Sequence, residues 1–382
     1  MRLQDLLYKV NILKIIGSSS VDIANVQFDS RQIQSADLFV AIKGNALDGH
    51  EYIDVAIKDG AIAIVLEEVP EDINKNITYI QVDNSYRAIG FIASNFYSNP
   101  SERINLIGVT GTNGKTTIVS LLHQLFTILG FKSGMISTIE NKVGDVVFPS
   151  THTTPDALTI NSLLNKMIQD NCKYCFMEVS SHSLSQFRVE GLKFTAGIFT
   201  NLTQDHLDYH NTFSEYRDTK KLFFDALSKD AFALVNKDDR NCYKMLEGTD
   251  ATKLTYSLRS LADYNCRVIE THLEGMLLRI NKIDVWVKLL GDFNAYNLLA
   301  VYAVANECGI PDSKILKALS LLKAAQGRFE FVQNESSVLG IVDYAHTDDA
   351  LKNLLQTINK IRTDSKELII VFGCGGDRDV SK

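Results

Sequence analysis

The spacing of hydrophobic residues changes just after residue 100, from a continuous apolar run to a helical repeat. The apolar run at residues 104–109 predicts a buried strand, and apolar residues then recur at helical spacing over residues 118–129. A glycine-rich turn, residues 111–117, lies between the two. Because a loop between a strand and a helix N-terminus gathers free backbone N–H groups, this pattern predicts a phosphate-binding loop.

The loop only partly matches the nucleotide-binding pattern G-x-x-x-x-G-K-S/T, since Val109 stands where the first glycine would be. In such a loop, Lys115 would bridge the terminal phosphates and Thr116 would offer a hydroxyl to magnesium. The alternative is an ordinary glycine turn, and the strand-and-helix context favours phosphate binding. The predicted loop residues are Gly111, Thr112, Asn113, Gly114, Lys115, Thr116 and Thr117.

The patterning divides the chain into three α/β segments. Residues 1–102 mix short strands and helices, whereas residues 103–330 alternate strands with helices as in a mostly parallel sheet. Residues 331–382 begin a third unit with a strand, a helix and a second strand at residues 367–372, and then reach a glycine-rich stretch. The predicted fold class is therefore a multi-domain α/β architecture with an incomplete C-terminal domain.

Composition narrows the possible classes of function. A hydrophobic content of 45% with 22% charged residues is typical of a globular protein, and a net charge of −7 argues against general binding to nucleic acid or membranes. Charges interrupt the N-terminal stretch, and no apolar run is long enough to span a bilayer, so we expect a cytoplasmic protein. The six cysteines are scattered, which favours reduced, structural thiols.

Polar residues follow two of the central apolar strands. Glu178 ends one strand, and His206 follows the next. Because ligands bind beyond the carboxyl ends of parallel strands, these two side chains could complete a magnesium shell with Thr116. Polar helix caps and loop residues are the alternative interpretation.

The helix predicted after residue 212 carries a lysine on its apolar face. Thr212 and Glu215 have capping-box spacing, and Lys220 lies among the apolar positions while Lys221 points away. Lys220 is therefore either a snorkelling lysine or a functional one that is partly desolvated. A desolvated lysine has a depressed pKa, and its neutral amine can react with carbon dioxide to form a carbamate.

Later residues suggest contacts with a nucleotide. Asn294 and Asn297 lie three apart at the start of an apolar helix and could bind an adenine edge, and Arg328 could clamp a phosphate. Asp343 and His346 follow another strand, where a helix cap is the alternative. Each of these signals is weak alone.

Several segments together resemble the Mur ligases of bacterial peptidoglycan synthesis, and in particular the members that add the third amino acid of the stem peptide. The resemblance covers essentially the whole chain. The matching segments are "FDSRQIQSADLFVAIKG", "DGHEYI", "GTNGKTT", "THTTPDAL", "MEVSSHSL", "NLTQDHLDYH", "LLGDFNAYN", "DYAHT" and "VFGCGGDRD".

The resemblance implies an N-terminal UDP-substrate domain, a central ATPase domain and a C-terminal amino-acid domain. It further implies that ATP phosphorylates the glutamyl carboxylate of UDP-N-acetylmuramoyl-L-alanyl-D-glutamate, and that diaminopimelate or lysine attacks the acyl phosphate. Lys115, Glu178, His206 and a carbamylated Lys220 would be catalytic, with magnesium held by Thr116, Glu178, His206 and Lys220. The implied nucleotide contacts are Asn294, Asn297, Arg328, Asp343 and His346, and the implied substrate contacts are Ser30, Thr153, Thr154, Ser180, Gln186 and Arg188. We expect a monomer with no nucleic-acid partner.

The sequence departs from the family pattern at two places. Asp348 replaces the usual proline after "DYAHT", and the Asp-Asn-Pro-Arg motif that reads the incoming amino acid is absent, so we expect a C-terminal truncation. Two alternative functions remain: a folylpolyglutamate synthase, and a nucleotide- or UDP-sugar-binding fragment without turnover. The first-domain "DSR" block and the "TTPDAL" and "DHLDYH" segments argue against the folate enzyme.

Overall fold

The computed structural model describes residues 1–44, 47–205, 209–210, 212–333, 338–362 and 367–373. These residues form two compact units. The first comprises Met1–Ile104, Pro155–Gln169 and His182–Lys193, and the second comprises Asn105–Thr154, Asp170–Ser181 and Phe194–Lys382. Two segments predicted to lie in the central domain thus group with the N-terminal residues, while the division into three domains stays a prediction.

The first unit is built on a mixed sheet with strand order β1-β5-β4-β3-β2, in which β1 is antiparallel to β5 and the other pairs are parallel. Alternate residues of the central strands fill an apolar cluster on each side of the sheet. The strands are β1 (Ile12–Ile16), β2 (Val26–Gln27), β3 (Asp37–Val40), β4 (Ala61–Leu66) and β5 (Thr78–Val82), and the helices are α1 (Leu3–Leu6), α2 (Ile53–Asp59), α3 (Ser85–Phe96) and α5 (Ala157–Gln169).

The second unit contains the mostly parallel sheet predicted for the centre of the chain. Its strand order is β16-β15-β14-β13-β12-β11-β6-β10-β7-β8-β9, with parallel pairing from β14 through β7 and antiparallel extensions at both ends. The strands are β6 (Asn105–Thr110), β7 (Ser133–Ile136), β8 (Glu140–Val143), β9 (Val146–Pro149), β10 (Tyr174–Glu178), β11 (Ala196–Phe199), β12 (Phe232–Asn236), β13 (Thr252–Ser257), β14 (Tyr264–His272), β15 (Gly275–Ile280) and β16 (Ile283–Val287).

Helices and a C-terminal hairpin complete this part of the chain. Helix α9 is buried on nearly all sides, and its apolar residues share one core with those of α4 and the central strands. The remaining elements of the second unit are α4 (Lys115–Ile128), α7 (Phe213–Asp225), α8 (Cys242–Leu246), α9 (Asp292–Glu307), α10 (Asp312–Leu319), β17 (Glu330–Gln333), β18 (Leu339–Val342) and α11 (Asp348–Ile361). Helix α6 (Ser181–Ser185) groups with the first unit from its second residue onward.

The strand predicted at residues 367–372 is wrong for this structure. Residues 367–373 carry no strand assignment, and Ile369, Val371 and Phe372 are exposed. Apolar β-branched residues favour a strand only when a partner strand satisfies their backbone groups. Among the described helices, none is both long and apolar enough to cross a membrane.

Candidate active site

The predicted phosphate-binding loop adopts a conformation that requires glycine. Gly111 and Gly114 have φ values of 142° and 91°. A Cβ atom on Gly111 would lie 1.9 Å from Thr200 Oγ1, and one on Gly114 would lie 2.7 Å from Asn297 Oδ1. The loop is therefore closely packed between the end of β11 and helix α9, where no larger residue fits.

Residues after β11 hold the loop in place. The N–H of Thr112 donates to Asn201 O at 2.8 Å, and the N–H of Asn113 donates to Asn201 Oδ1 at 3.0 Å. Helix α4 begins at Lys115 after Gly114, which supplies no side-chain cap. Because the first-turn N–H groups of a helix lack intrahelical acceptors, this geometry suits an anion such as phosphate.

Two lysine side chains converge on one carbonyl oxygen of the loop. Lys115 Nζ donates to Gly111 O at 3.0 Å and to Thr112 O at 2.8 Å, and Lys220 Nζ donates to Gly111 O at 3.0 Å. Burial lowers the pKa of Lys115, although Glu178 and Asp205 oppose the shift. Burial, and secondly the charge of Lys115, set the pKa of Lys220 well below its usual value.

The environment of Lys220 confirms that its side chain points inward. Lys220 is 1% exposed on α7, and Thr212 caps this helix by accepting from the N–H of Glu215 at 3.1 Å. Its Nζ lies 4.7 Å from the ring centroid of Tyr216. Tyr216 was not among the predicted site residues, although its position one helical turn before Lys220 on the apolar face was an available signal.

Tyr216 also contacts the phosphate-binding loop. Its hydroxyl lies 3.2 Å from Thr112 Oγ1, which donates to Thr203 O at 3.1 Å and accepts from the Thr203 N–H at 3.0 Å. Since the single Thr112 hydroxyl proton is used by Thr203 O, Tyr216 must be the donor in its bond to Thr112. Burial raises the pKa of Tyr216, which keeps the phenol protonated for this bond.

A buried carboxylate lies at the end of β10. Glu178 is fully buried, and its Oε1 accepts from the N–H of Thr138 at 2.7 Å. Its Oε2 accepts from Thr116 Oγ1 at 3.0 Å, while Thr116 Oγ1 accepts from Arg328 Nη2 at 3.1 Å. One hydroxyl thus joins helix α4, strand β10 and the segment before β17. Burial lowers the pKa of Arg328, whose guanidinium also stacks 4.4 Å from the ring centroid of Tyr344.

The oxygen donors suit a magnesium ion better than a softer metal. Thr116 and Glu178 present a hydroxyl and a carboxylate, the ligand types that magnesium combines with water and phosphate oxygens. Among the residues that the structure describes, no group of three or more His, Cys, Asp and Glu side chains is placed to hold a metal by itself. His206, the remaining predicted ligand besides Lys220, lies outside the described residues.

The predicted nucleotide residues are anchored by internal hydrogen bonds. Asn294 Nδ2 donates to Leu290 O at 2.8 Å, and Asn297 Nδ2 donates to Asn294 Oδ1 at 3.1 Å. Asp343 accepts from the N–H groups of Phe329 and Ala345, both at 2.7 Å, so its carboxylate shapes the turn after Arg328. His346 is partly exposed, with Nε2 4.0 Å from Asp205 Oδ2.

The predicted substrate residues fall in both units. In the second unit, Thr154 Oγ1 donates to Glu178 O at 2.7 Å and accepts from the Ser180 N–H at 3.1 Å, and Thr153 Oγ1 accepts from Thr138 Oγ1 at 3.1 Å. In the first unit, Ser30 begins a short 3₁₀ helix, and Gln186 Oε1 accepts two bonds from the Arg188 guanidinium. Thr154 thus joins the backbone of Glu178 to that of Ser180, and Thr153 is linked through Thr138 to the Glu178 carboxylate.

Comparison with known families and proteins places the chain among ligases. Three family models match it: "Mur ligase family, catalytic domain" at residues 22–97, "Mur ligase middle domain" at residues 109–305, and "Mur ligase, glutamate ligase domain" at residues 327–382. The chain therefore belongs to the Mur ligase family, whose members are ATP-dependent ligases.

Relatives in the family carry a more specific name. The chain is 49% identical over 383 residues to a UDP-N-acetylmuramoyl-L-alanyl-D-glutamate–2,6-diaminopimelate ligase of Cytophaga hutchinsonii, over 100% of this chain and 79% of the relative. It is 48% identical over 382 residues to the enzyme of that name from Bacteroides fragilis, with the same coverage of both chains. A solved structure with this name superposes with a TM-score of 0.82 at 27% identity, covering 99% of this chain and 78% of that one.

These matches confirm the family and the multi-domain α/β fold. The glutamate ligase domain model matches residues 327–382, and the chain spans 79% of the length of both relatives.

Proposed function

We propose that the protein uses ATP to join 2,6-diaminopimelate to the glutamyl carboxyl group of UDP-N-acetylmuramoyl-L-alanyl-D-glutamate in peptidoglycan synthesis. The names of the relatives favour diaminopimelate over lysine as the added amino acid. The observation that carries the proposal is the convergence of Lys115 and Lys220 on Gly111 O, beside the bonded pair of Thr116 and Glu178.

The reaction has two steps. The glutamyl carboxylate oxygen attacks the terminal phosphorus of ATP, ADP leaves, and an acyl phosphate forms. The amine of the amino acid then attacks the acyl carbon, loses a proton, and expels inorganic phosphate from a tetrahedral intermediate. The loop N–H groups, Lys115 and Arg328 would stabilise the charge on the transferring phosphoryl group, because fixed donors in a dry site need little reorganisation.

Magnesium fits this chemistry. Thr116 and Glu178 would hold it together with His206, and the bound ion would neutralise phosphate charge. Thr116 is already oriented by its bonds to Glu178 and Arg328, so a ligand oxygen is held in place before the ion arrives.

Lys220 would act as a carbamate. The Lys220 cation would first lose one proton to solvent, and its neutral amine nitrogen would then bond to the carbon of CO₂ and lose a second proton, which gives a carbamate anion with two acceptor oxygens. The lowered pKa of Lys220 supports this step because it increases the neutral fraction. The new oxygens would bind magnesium beside Glu178.

The remaining roles follow the resemblance. Adenine would be bound near Asn294 and Asn297 and the ribose and phosphates near Arg328, Asp343 and His346, a view supported by the contact between Asn297 and the phosphate-binding loop. The substrate roles are proposed for Ser30, Thr153, Thr154, Ser180, Gln186 and Arg188. Because the reaction consumes ATP, we place it in the cytoplasm, and a monomeric state stays a prediction.

The proposal is tested by mixing the protein with the UDP-muramoyl-dipeptide, ATP, magnesium and either diaminopimelate or lysine, and measuring phosphate release and product mass. We expect a product with diaminopimelate that Lys115→Ala prevents. Lys220→Ala should also prevent it, and added chloride or formate should not restore it. Calorimetric binding without phosphate release would instead favour a binding protein without turnover. Phosphate release with a folate glutamate alone would favour the folate enzyme.

A further inference from the structure

The first unit contains a turn whose backbone is unfavourable for a bulky residue. Phe187 has a φ of 51°, in the left-handed region that residues other than glycine rarely adopt. It lies between Gln186 and Arg188. The turn brings their side chains together, because Arg188 donates from Nε and Nη2 to Gln186 Oε1 at 3.0 and 2.6 Å. Such a conformation persists only where the surroundings hold it, and it often marks a functional site.

Helix α3 supplies a side chain that contacts this turn. Arg87 Nε donates to Glu190 Oε1 at 3.1 Å, and the guanidinium carbon lies 5.5 Å from the ring centroid of Phe187. The backbone of Arg87 is fixed in turn, since its N–H donates to Asn84 Oδ1 at 2.8 Å. One arginine therefore contacts both the strained residue and the carboxylate three residues later.

The backbone of helix α3 also lies close to the backbone of residues 190–191. A Cβ atom on Gly90 would lie 2.8 Å from Glu190 O, and Gly191 has φ 78°. Ser94 Oγ donates to Gly191 O at 3.2 Å. Helix α3 thus packs closely against the residues that follow the turn, and Arg87 contacts the turn itself.

We propose that Arg87 is a positioning residue that holds the Gln186–Arg188 turn in the geometry that binds the anionic end of the muramoyl-dipeptide. Arg87 acts through Phe187 and Glu190 and does not touch the substrate. The inference rests on the proposed function, which assigns Gln186 and Arg188 to that substrate. The Arg87 side chain is 52% exposed, and ion pairs at such sites contribute little to stability, so its effect on binding is separable from folding.

The test compares Arg87→Ala with Arg279→Ala, which removes an arginine from another exposed pair, Arg279–Asp284 in the second unit. Calorimetry should show the dissociation constant for the UDP-muramoyl-dipeptide rising about tenfold in Arg87→Ala, since small misplacements of binding groups weaken recognition strongly. The dissociation constant for ATP should stay within about twofold, and Arg279→Ala should change neither. Arg87→Lys should be intermediate, because it keeps the charge and loses the planar guanidinium. Unchanged substrate binding, or an equal loss for ATP, would overturn the inference.

A second measurement separates this inference from the proposed function. If the unsubstituted protein does not bind the UDP-muramoyl-dipeptide, the proposed function fails, and amide hydrogen exchange without ligand then tests the positioning role. The N–H of Arg188 donates to Ser183 O at 2.8 Å, and its exchange should be faster in Arg87→Ala than in the unsubstituted protein or Arg279→Ala. Equal exchange in all three proteins would refute the role of Arg87.

Discussion

Thr116 offers the sharpest test of how the site is held together, because its hydroxyl donates to Glu178 and accepts from Arg328. Thr116→Val keeps the shape and removes both bonds. A hydrogen bond to a charged group contributes about 1.5–3 kcal/mol, so the two together contribute about 3–6 kcal/mol. Glu178 keeps its bond from Thr138, and Arg328 keeps its stacking against Tyr344, so the expected loss lies at the lower end of this range. We therefore expect a loss of about 3 kcal/mol in the free energy of unfolding.

The matched control is Thr116→Ser, which keeps the hydroxyl and removes one methyl group from a residue that is 5% exposed, at a cost of about 0.5–1.5 kcal/mol. Trp286 is the only tryptophan and lies in β16, so its fluorescence reports unfolding of the second unit. With a urea dependence of about 3 kcal/mol per M, the valine variant should unfold about 1 M earlier than the unsubstituted protein. Equal midpoints for the valine and serine variants would refute the idea that the shared hydroxyl stabilises the site.

Three further outcomes are expected. Gly111→Ala should abolish the ATP-induced rise in melting temperature, because its Cβ would lie 1.9 Å from Thr200 Oγ1, whereas Gly130→Ala, at φ 84° with nothing within 4 Å of the added carbon, should keep it. Burial lowers the pKa of His123 to about 4, so the folded protein binds fewer protons than the unfolded chain from about pH 6.5 down to 4. Its stability should therefore fall by up to about 3 kcal/mol as the pH drops through that window, and urea titrations of His123→Gln should lack this slope. Tyr216→Phe should lower the free energy of unfolding by about 1 kcal/mol, measured by urea titration. An unchanged free energy of unfolding would mean that the bond from Tyr216 to the loop does not stabilise the protein.

Features set by short stretches of sequence were predictable. The strand, glycine turn and helix around Lys115 and the inward position of Lys220 follow from the spacing of apolar residues over one or two elements. The mostly parallel sheet follows from the alternation of strands and helices, although the order of its strands does not.

Features that depend on distant contacts were not predictable. No local pattern indicates that residues 155–169 and 182–193 pack with the N-terminal unit, or that the N–H of Thr138 binds Glu178. The strand predicted at residues 367–372 failed for the same reason, because apolar spacing cannot say whether a partner strand is present. Tyr216 was missed because an aromatic residue on an apolar helix face usually indicates packing alone.

The carbonyl of Gly111 accepts from both Lys115 and Lys220. If Lys220 is carbamylated as proposed, this oxygen would couple two events that the proposed reaction needs. A bound phosphate that accepts a hydrogen bond from Lys115 would remove one donor from this oxygen. Carbamylation of Lys220 would remove the other donor. Thermodynamic reciprocity then applies: whatever factor nucleotide binding contributes to the modification of Lys220, the modification contributes the same factor to nucleotide affinity. The nucleotide affinity of the protein should consequently depend on the supply of dissolved carbon dioxide, with no domain movement required.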